Sequence, residues 1–186
     1  MRIKTVLCLV LCALLLVPLA ACGQTITDEE ALAILRERIE ASYELNEIYF
    51  GDGLRTDPYE NNGEAFQYVF VAIDEKYQNI EDLKAATEAV FSADVCESLY
   101  EKGFTGFDDG LVIVYARYIE QGGVLSADVK YKGINTAEDF LFDTAKVEKN
   151  TKNYVVFSIE RGDGSTVRVE LTRSADDRWL LNCYTY

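Results

Sequence analysis

The sequence predicts an α+β fold, with N-terminal helices packed on a curved antiparallel sheet. Three observations carry the prediction. Apolar residues recur at helical spacing in segments between Thr27 and Lys102. From Leu111 onward the chain is a succession of alternating, β-branched segments. The connections at Gly122-Gly123 and Asp163-Gly164 have the chemistry of tight turns, which join antiparallel neighbours. Helices first and a meander after are the order of an α+β domain.

Residues 1–21 stand outside that domain. Arg2 and Lys4 precede an apolar run from Val6 to Val17, and the run ends in Leu19-Ala20-Ala21-Cys22. A charged start, an apolar stretch too short to span a bilayer and small residues before a cleavage point make a secretory signal. The cysteine after Leu-Ala-Ala resembles a lipobox, which implies that Cys22 is lipidated and becomes the first residue of the mature chain. Two acyl chains suffice for stable anchoring. The expectation is a membrane-anchored, extracytoplasmic protein: signal peptide 1–21, lipidated tether 22–26 and one α+β domain over 27–186.

The domain opens with a capping box, in which Thr27 caps a helix and Glu30 bonds back. Leu32, Leu35, Ile39 and Tyr43 form its apolar stripe, with Glu30, Glu37, Glu40 and Glu44 on the other face. Ile34, Leu45 and Ile48 lie off the stripe, so either the later turns are covered on a second side or the helix ends before them. Gly51-Asp52-Gly53 stops it at the latest, and turn residues continue to Gly63. Phe66 to Ile73 reads as a largely buried strand. Asn79 then caps a helix carrying Ile80, Leu83 and Val90, and Ser92 caps another, Ala93 to Lys102, closed by Gly103. Six strands follow: Leu111–Glu120, Val124–Tyr131, Phe140–Glu148, Tyr154–Arg161, Thr166–Arg173 and Arg178–Tyr184. Asp109-Gly110 is a turn into the first of them.

Loss of residues 1–21 removes two of the 18 basic residues and none of the 32 acidic ones, leaving 16 basic and 32 acidic residues and a net charge of −16. Such a charge repels nucleic acid and anionic lipid head groups and suits a protein partner with a basic face; it also keeps a domain soluble. A mature chain of this length fits one domain, expected to be a monomer. The chain has no histidine, which removes Ser-His-Asp and Cys-His nucleophile pairs and histidine metal sites. No catalytic residue, cofactor or metal is expected, and no stretch shows the alternating carboxylates of a calcium loop.

Asp108 and Asp109, with Asp52, Asp57, Glu60 and Glu64 of the earlier loop, form a candidate acidic partner-binding patch; turns also select these residues for their own geometry. Cys8 and Cys12 leave with the signal and Cys22 carries the lipid, so Cys96 and Cys183 remain, and either form a disulfide or fill the core. The many aromatics, among them Tyr68, Phe91, Tyr115, Tyr118, Phe140, Phe157 and Trp179, either fill the core or also line a pocket beneath the sheet.

Tyr43 to Leu54, Tyr68 to Phe91, Phe91-Ser92-Ala93 to Tyr100 and the run from Lys149 to Phe157 resemble the IseA family of DL-endopeptidase inhibitors, which block wall-lytic cysteine peptidases of Gram-positive envelopes. The resemblance implies a two-lobed body with a cleft that meets a basic-faced cell-wall endopeptidase, and regulation of peptidoglycan hydrolysis without enzymatic activity of its own. Helices followed by a curved antiparallel sheet are also similar to the cone-shaped domains of the nuclear transport factor superfamily. That alternative implies a small-ligand-binding lipoprotein.

Overall fold

The computed structural model describes residues 25–57, 67–108, 110, 113–136 and 138–186. Helix α1 (Asp28–Tyr49) begins at the expected capping box. The Glu30 N–H donates to Thr27 Oγ1 at 3.2 Å, and the Thr27 N–H donates to the Glu30 carboxylate at 2.8 Å. Asp28, Glu29 and Glu30 place negative charge at the positive end of the helix dipole. Leu35 and Ile39 are fully buried, and Leu45, Ile48 and Tyr49 further on are buried too. The later turns are therefore covered on a second side, and the helix runs on to Tyr49.

Strand β1 (Tyr68–Phe70) is shorter than the expected Phe66–Ile73. Helix α2 (Ile80–Glu88) follows, its first turn capped by Asn79, whose side-chain oxygen accepts the Asp82 N–H at 2.7 Å. Helix α3 (Ala93–Phe104) starts where expected, with Ser92 in the N-cap position, but differs in that cap's bonding and at its C-terminal end. The Ser92 hydroxyl gives no cap to the first turn and instead donates to Asn182 Oδ1 at 2.7 Å. Gly103 lies inside the last turn, where it faces Tyr49: a Cβ added there would sit 2.6 Å from Tyr49 Cε1. The glycine serves close packing of α3 on α1, and the helix runs one residue past it.

The segment Leu111–Glu120 is two pieces, not the single strand expected. β2 (Phe107–Asp108) and β3 (Ile113–Val114) make a small hairpin whose turn holds Gly110 at φ +81°. After a break at Tyr115–Arg117, β4 (Tyr118–Gln121) joins β5 (Val124–Asp128). The break lets Arg117 turn inward to the end of α1. Gly122 and Gly123, at φ +62° and +82°, fill the two-residue turn between Gln121 and Val124, as the hairpin geometry demands.

Besides the β2–β3 hairpin, the strands divide between two antiparallel sheets. One is three-stranded, in the order β1-β5-β4, curved but not closed. The other is a four-stranded meander of β6 (Phe140–Asn150), β7 (Tyr154–Arg161), β8 (Thr166–Arg173) and β9 (Trp179–Leu181). The β7–β8 connection carries Gly164 at φ +81° in a loop closed by the Arg161 N–H on the Ser165 carbonyl at 2.9 Å. α1 packs against β6 and β9, and Leu35, Ile39, Phe157, Leu171 and Leu181 share one core cluster. Thr185, after β9, meets α1 again through Ser42 Oγ at 2.6 Å and Asn46 Nδ2 at 2.9 Å. The α+β architecture thus stands, with helices laid on antiparallel sheet.

Candidate functional site

A cleft of about 350 Å³ opens where α1 ends. Its walls come from the segment just after α1 (Asp52, Leu54, Arg55, Thr56), from the break and start of β4 (Arg117, Tyr118) and from the end of β5 onward (Ala127, Asp128, Val129, Tyr131). The local sequence explains the convergence. Gly51-Asp52-Gly53 turns the chain away from α1, with Gly53 at φ +83°, a conformation in which a side chain would be strained. The Asp128 N–H donates to the Arg117 carbonyl at 2.8 Å, holding the two walls together.

Arg117 forms the floor and is 3% exposed. Its Nε donates to the Ile48 carbonyl and its Nη2 to the Gly51 carbonyl, both at 2.6 Å. These carbonyls lie at the negative end of the α1 dipole, where a cation is favoured. The Tyr131 ring covers the guanidinium at 3.9 Å, a cation–π contact. The Tyr118 hydroxyl donates to the Ile48 carbonyl at 2.9 Å and accepts the Leu54 N–H at 3.1 Å. Burial pushes its phenol above the ordinary value, so it stays a neutral donor.

Charges on the rim differ in how they are matched. Arg55 meets Asp74 at 3.0 Å and Glu75 at 2.8 Å. The hydrogen bond and charge of Arg55 hold the Asp74 carboxyl below its usual range. Asp128 accepts from the Gln67 amide and from the Lys130 N–H, both neutral donors. Asp52 is exposed, and its N–H donates to Glu47 Oε2 at 3.2 Å.

Of the acidic residues expected to form a patch, the structure places Asp52 on this cleft. Asp57 is half-buried beside β1, its N–H donating to the Phe70 carbonyl at 2.9 Å. Asp108 lies in β2. Asp109, Glu60 and Glu64, and the lipidation candidate Cys22, lie outside the described residues. Cys96 and Cys183 are free thiols, so the bridge left open by the sequence is not formed. Burial raises both thiol pKa values, Cys96 to about 11, which leaves them unreactive near neutral pH. Among the described residues no cluster of metal-ligating side chains occurs, and no helix is long and apolar enough to cross a membrane.

The residue that sequence reasoning missed is Arg117. Its signal was a lone cation between Ala116 and Tyr118 in an otherwise apolar strand-like run. No protein-family model matches the chain, and no curated protein matches its sequence.

Proposed function

We propose that this is a lipid-anchored envelope protein that binds and inhibits a peptidoglycan DL-endopeptidase, as its likeness to the IseA family implies. The observation that supports the reading most is where the cleft lies. α1 is 22 residues, about 33 Å, long. Its capping residue Thr27 follows Cys22 by five positions, whereas the cleft with Asp52 and Asp128 sits at the opposite end of the helix. Anchoring at Cys22 leaves that acidic end free to meet a partner. The net charge of −16 suits a basic face and fast, salt-sensitive encounter. A cone-shaped domain with its ligand pocket beneath the four-stranded sheet has less support, because the interior between α1 and that sheet is filled by Leu35, Ile39, Phe157 and Leu171.

The test is capture of wall hydrolases from cell envelopes at low and high salt, followed by inhibition of a purified papain-like wall endopeptidase. Stoichiometric inhibition, with association slowing steeply as salt rises, is the expected result. An endopeptidase that retains full activity under excess protein at low salt refutes the reading.

A further inference from the structure

The floor of the cleft carries a charge that the fold leaves unmatched. Buried arginines are ordinarily paired with carboxylates, because an isolated charge is costly to remove from water. Arg117 has no ion pair among the described residues. Its bonds to the Ile48 and Gly51 carbonyls use two of the five guanidinium N–H groups. Those carbonyls bring only the partial charge of a helix end. Arg55, the other cation of the cleft, is committed to Asp74 and Glu75.

Two carboxylates line the same cleft. Asp128 and Asp52 have no cation partner among the described residues, and the bonds of Asp128 come from neutral donors. One unmatched cation and two unmatched carboxylates thus border one space, beside the apolar side chains of Leu54 and Val129 and the ring of Tyr131. The space, about 350 Å³, lies at the small end of ligand sites.

We propose that the cleft binds the zwitterion of an α-amino acid or dipeptide, with its carboxylate on Arg117 and its ammonium toward Asp128 and Asp52. A carboxylate supplies the counter-charge that Arg117 lacks, through charge-assisted hydrogen bonds. The ammonium explains why an anion can enter a space rimmed by carboxylates. The proposal does not rest on the inhibitor reading, and its test involves no peptidase.

The probe is alanyl-alanine, in its L,L and D,D forms, titrated into the protein and followed through the backbone amide NMR signals. Saturable shifts at Leu54, Tyr118, Ala127 and Val129 are expected. Alanyl-alanine amide and N-acetyl-alanyl-alanine, which each lose one charge, should bind about tenfold or more weakly. Asp128→Asn should weaken the free dipeptide and leave the N-acetyl form unchanged; Arg117→Gln should abolish both. Because Arg117 also caps α1, its replacement can unfold the protein, so the blocked dipeptides read the same contacts on the unaltered chain. Absence of saturable shifts up to about 10 mM dipeptide, or equal binding of the amide, overturns the proposal.

Discussion

Replacing Thr87 by valine should destabilise the protein more than replacing Tyr49 by phenylalanine, although each change removes one oxygen of the same hydrogen bond. The Thr87 hydroxyl has a single proton and gives it to the Leu83 carbonyl at 2.7 Å. The Tyr49 hydroxyl, 3.0 Å away, must therefore donate to Thr87 Oγ1. Burial pushes the Tyr49 phenol far above its ordinary range, so the donor proton stays in place. Tyr49→Phe removes that donor and leaves Thr87 bonded through its own proton, a loss of about 1 kcal/mol. Thr87→Val leaves the phenolic O–H without an acceptor at a residue 1% exposed, which costs about 2 kcal/mol. Both residues at position 87 are β-branched, so the propensity of α2 barely changes. In the double variant the orphaned donor is gone and its penalty with it, so the total should fall to about 1 kcal/mol where additivity requires about 3. Urea unfolding of the four proteins measures the cycle. Additive losses, or a Tyr49→Phe variant less stable than Thr87→Val, would show the proton to be assigned the wrong way.

Gly103→Ala should also lower stability. The helix propensity of α3 gains about 1 kcal/mol, but the new Cβ lies 2.6 Å from a Tyr49 ring held by Thr87 and by the edge of Phe104, and overpacking of this kind costs about 1–3 kcal/mol; a raised Tm sinks the argument. Cys96 is pushed from its ordinary 9.0 to about 11 by burial, so the unfolded chain ionises first. The stabilising contribution of the protonated thiol is complete below pH 9 and is lost as pH rises to about 11. Alkylation of the native protein at pH 8 should be far slower than in denaturant, and equal rates contradict a buried thiol. Cys22→Ala should move the protein from the membrane fraction to the soluble one; continued sedimentation with membranes excludes lipid anchoring through that residue.

What was legible in the sequence was local. The α1 start, the Asn79 cap and the Gly122-Gly123 hairpin each depend on a few neighbouring residues with one physical solution, and the structure has all three. β7 and β8 also match the expected bounds, because a β-branched and aromatic run in one and an apolar alternation in the other lie uninterrupted between turn residues. Ser92 marked the start of α3 but not the bond its hydroxyl makes, and Gly103 did not mark the end, for the opposite reason. A serine before a helix and a glycine near its end are ordinary terminus signals, but here a distant residue claims each: Asn182 takes the Ser92 hydroxyl, and Tyr49 occupies the space beside Gly103. Division of the strands between two sheets was hidden likewise, since sequence spacing says which strands are neighbours in the chain but not where pairing stops.

Arg117 shows why the candidate site was harder to see than the fold. The run Leu111–Glu120 has the composition of a strand, and a strand would place Arg117 beside Tyr118 on alternate faces, one of them solvated. Instead both side chains reach the Ile48 carbonyl, at 2.6 and 2.9 Å. That is possible only because the pairing breaks at Tyr115–Arg117 and because Gly53 leaves room for the guanidinium and the Tyr118 hydroxyl. The cation ends α1 much as a basic residue of its own last turn would have done, and that turn contains none. An acidic helix end without local positive charge is therefore the sequence signal to follow: it predicts that a cation arrives from elsewhere in the chain. In this protein the arriving side chain also forms the floor of the cleft, so one residue joins the stability of α1 to the chemistry of the site.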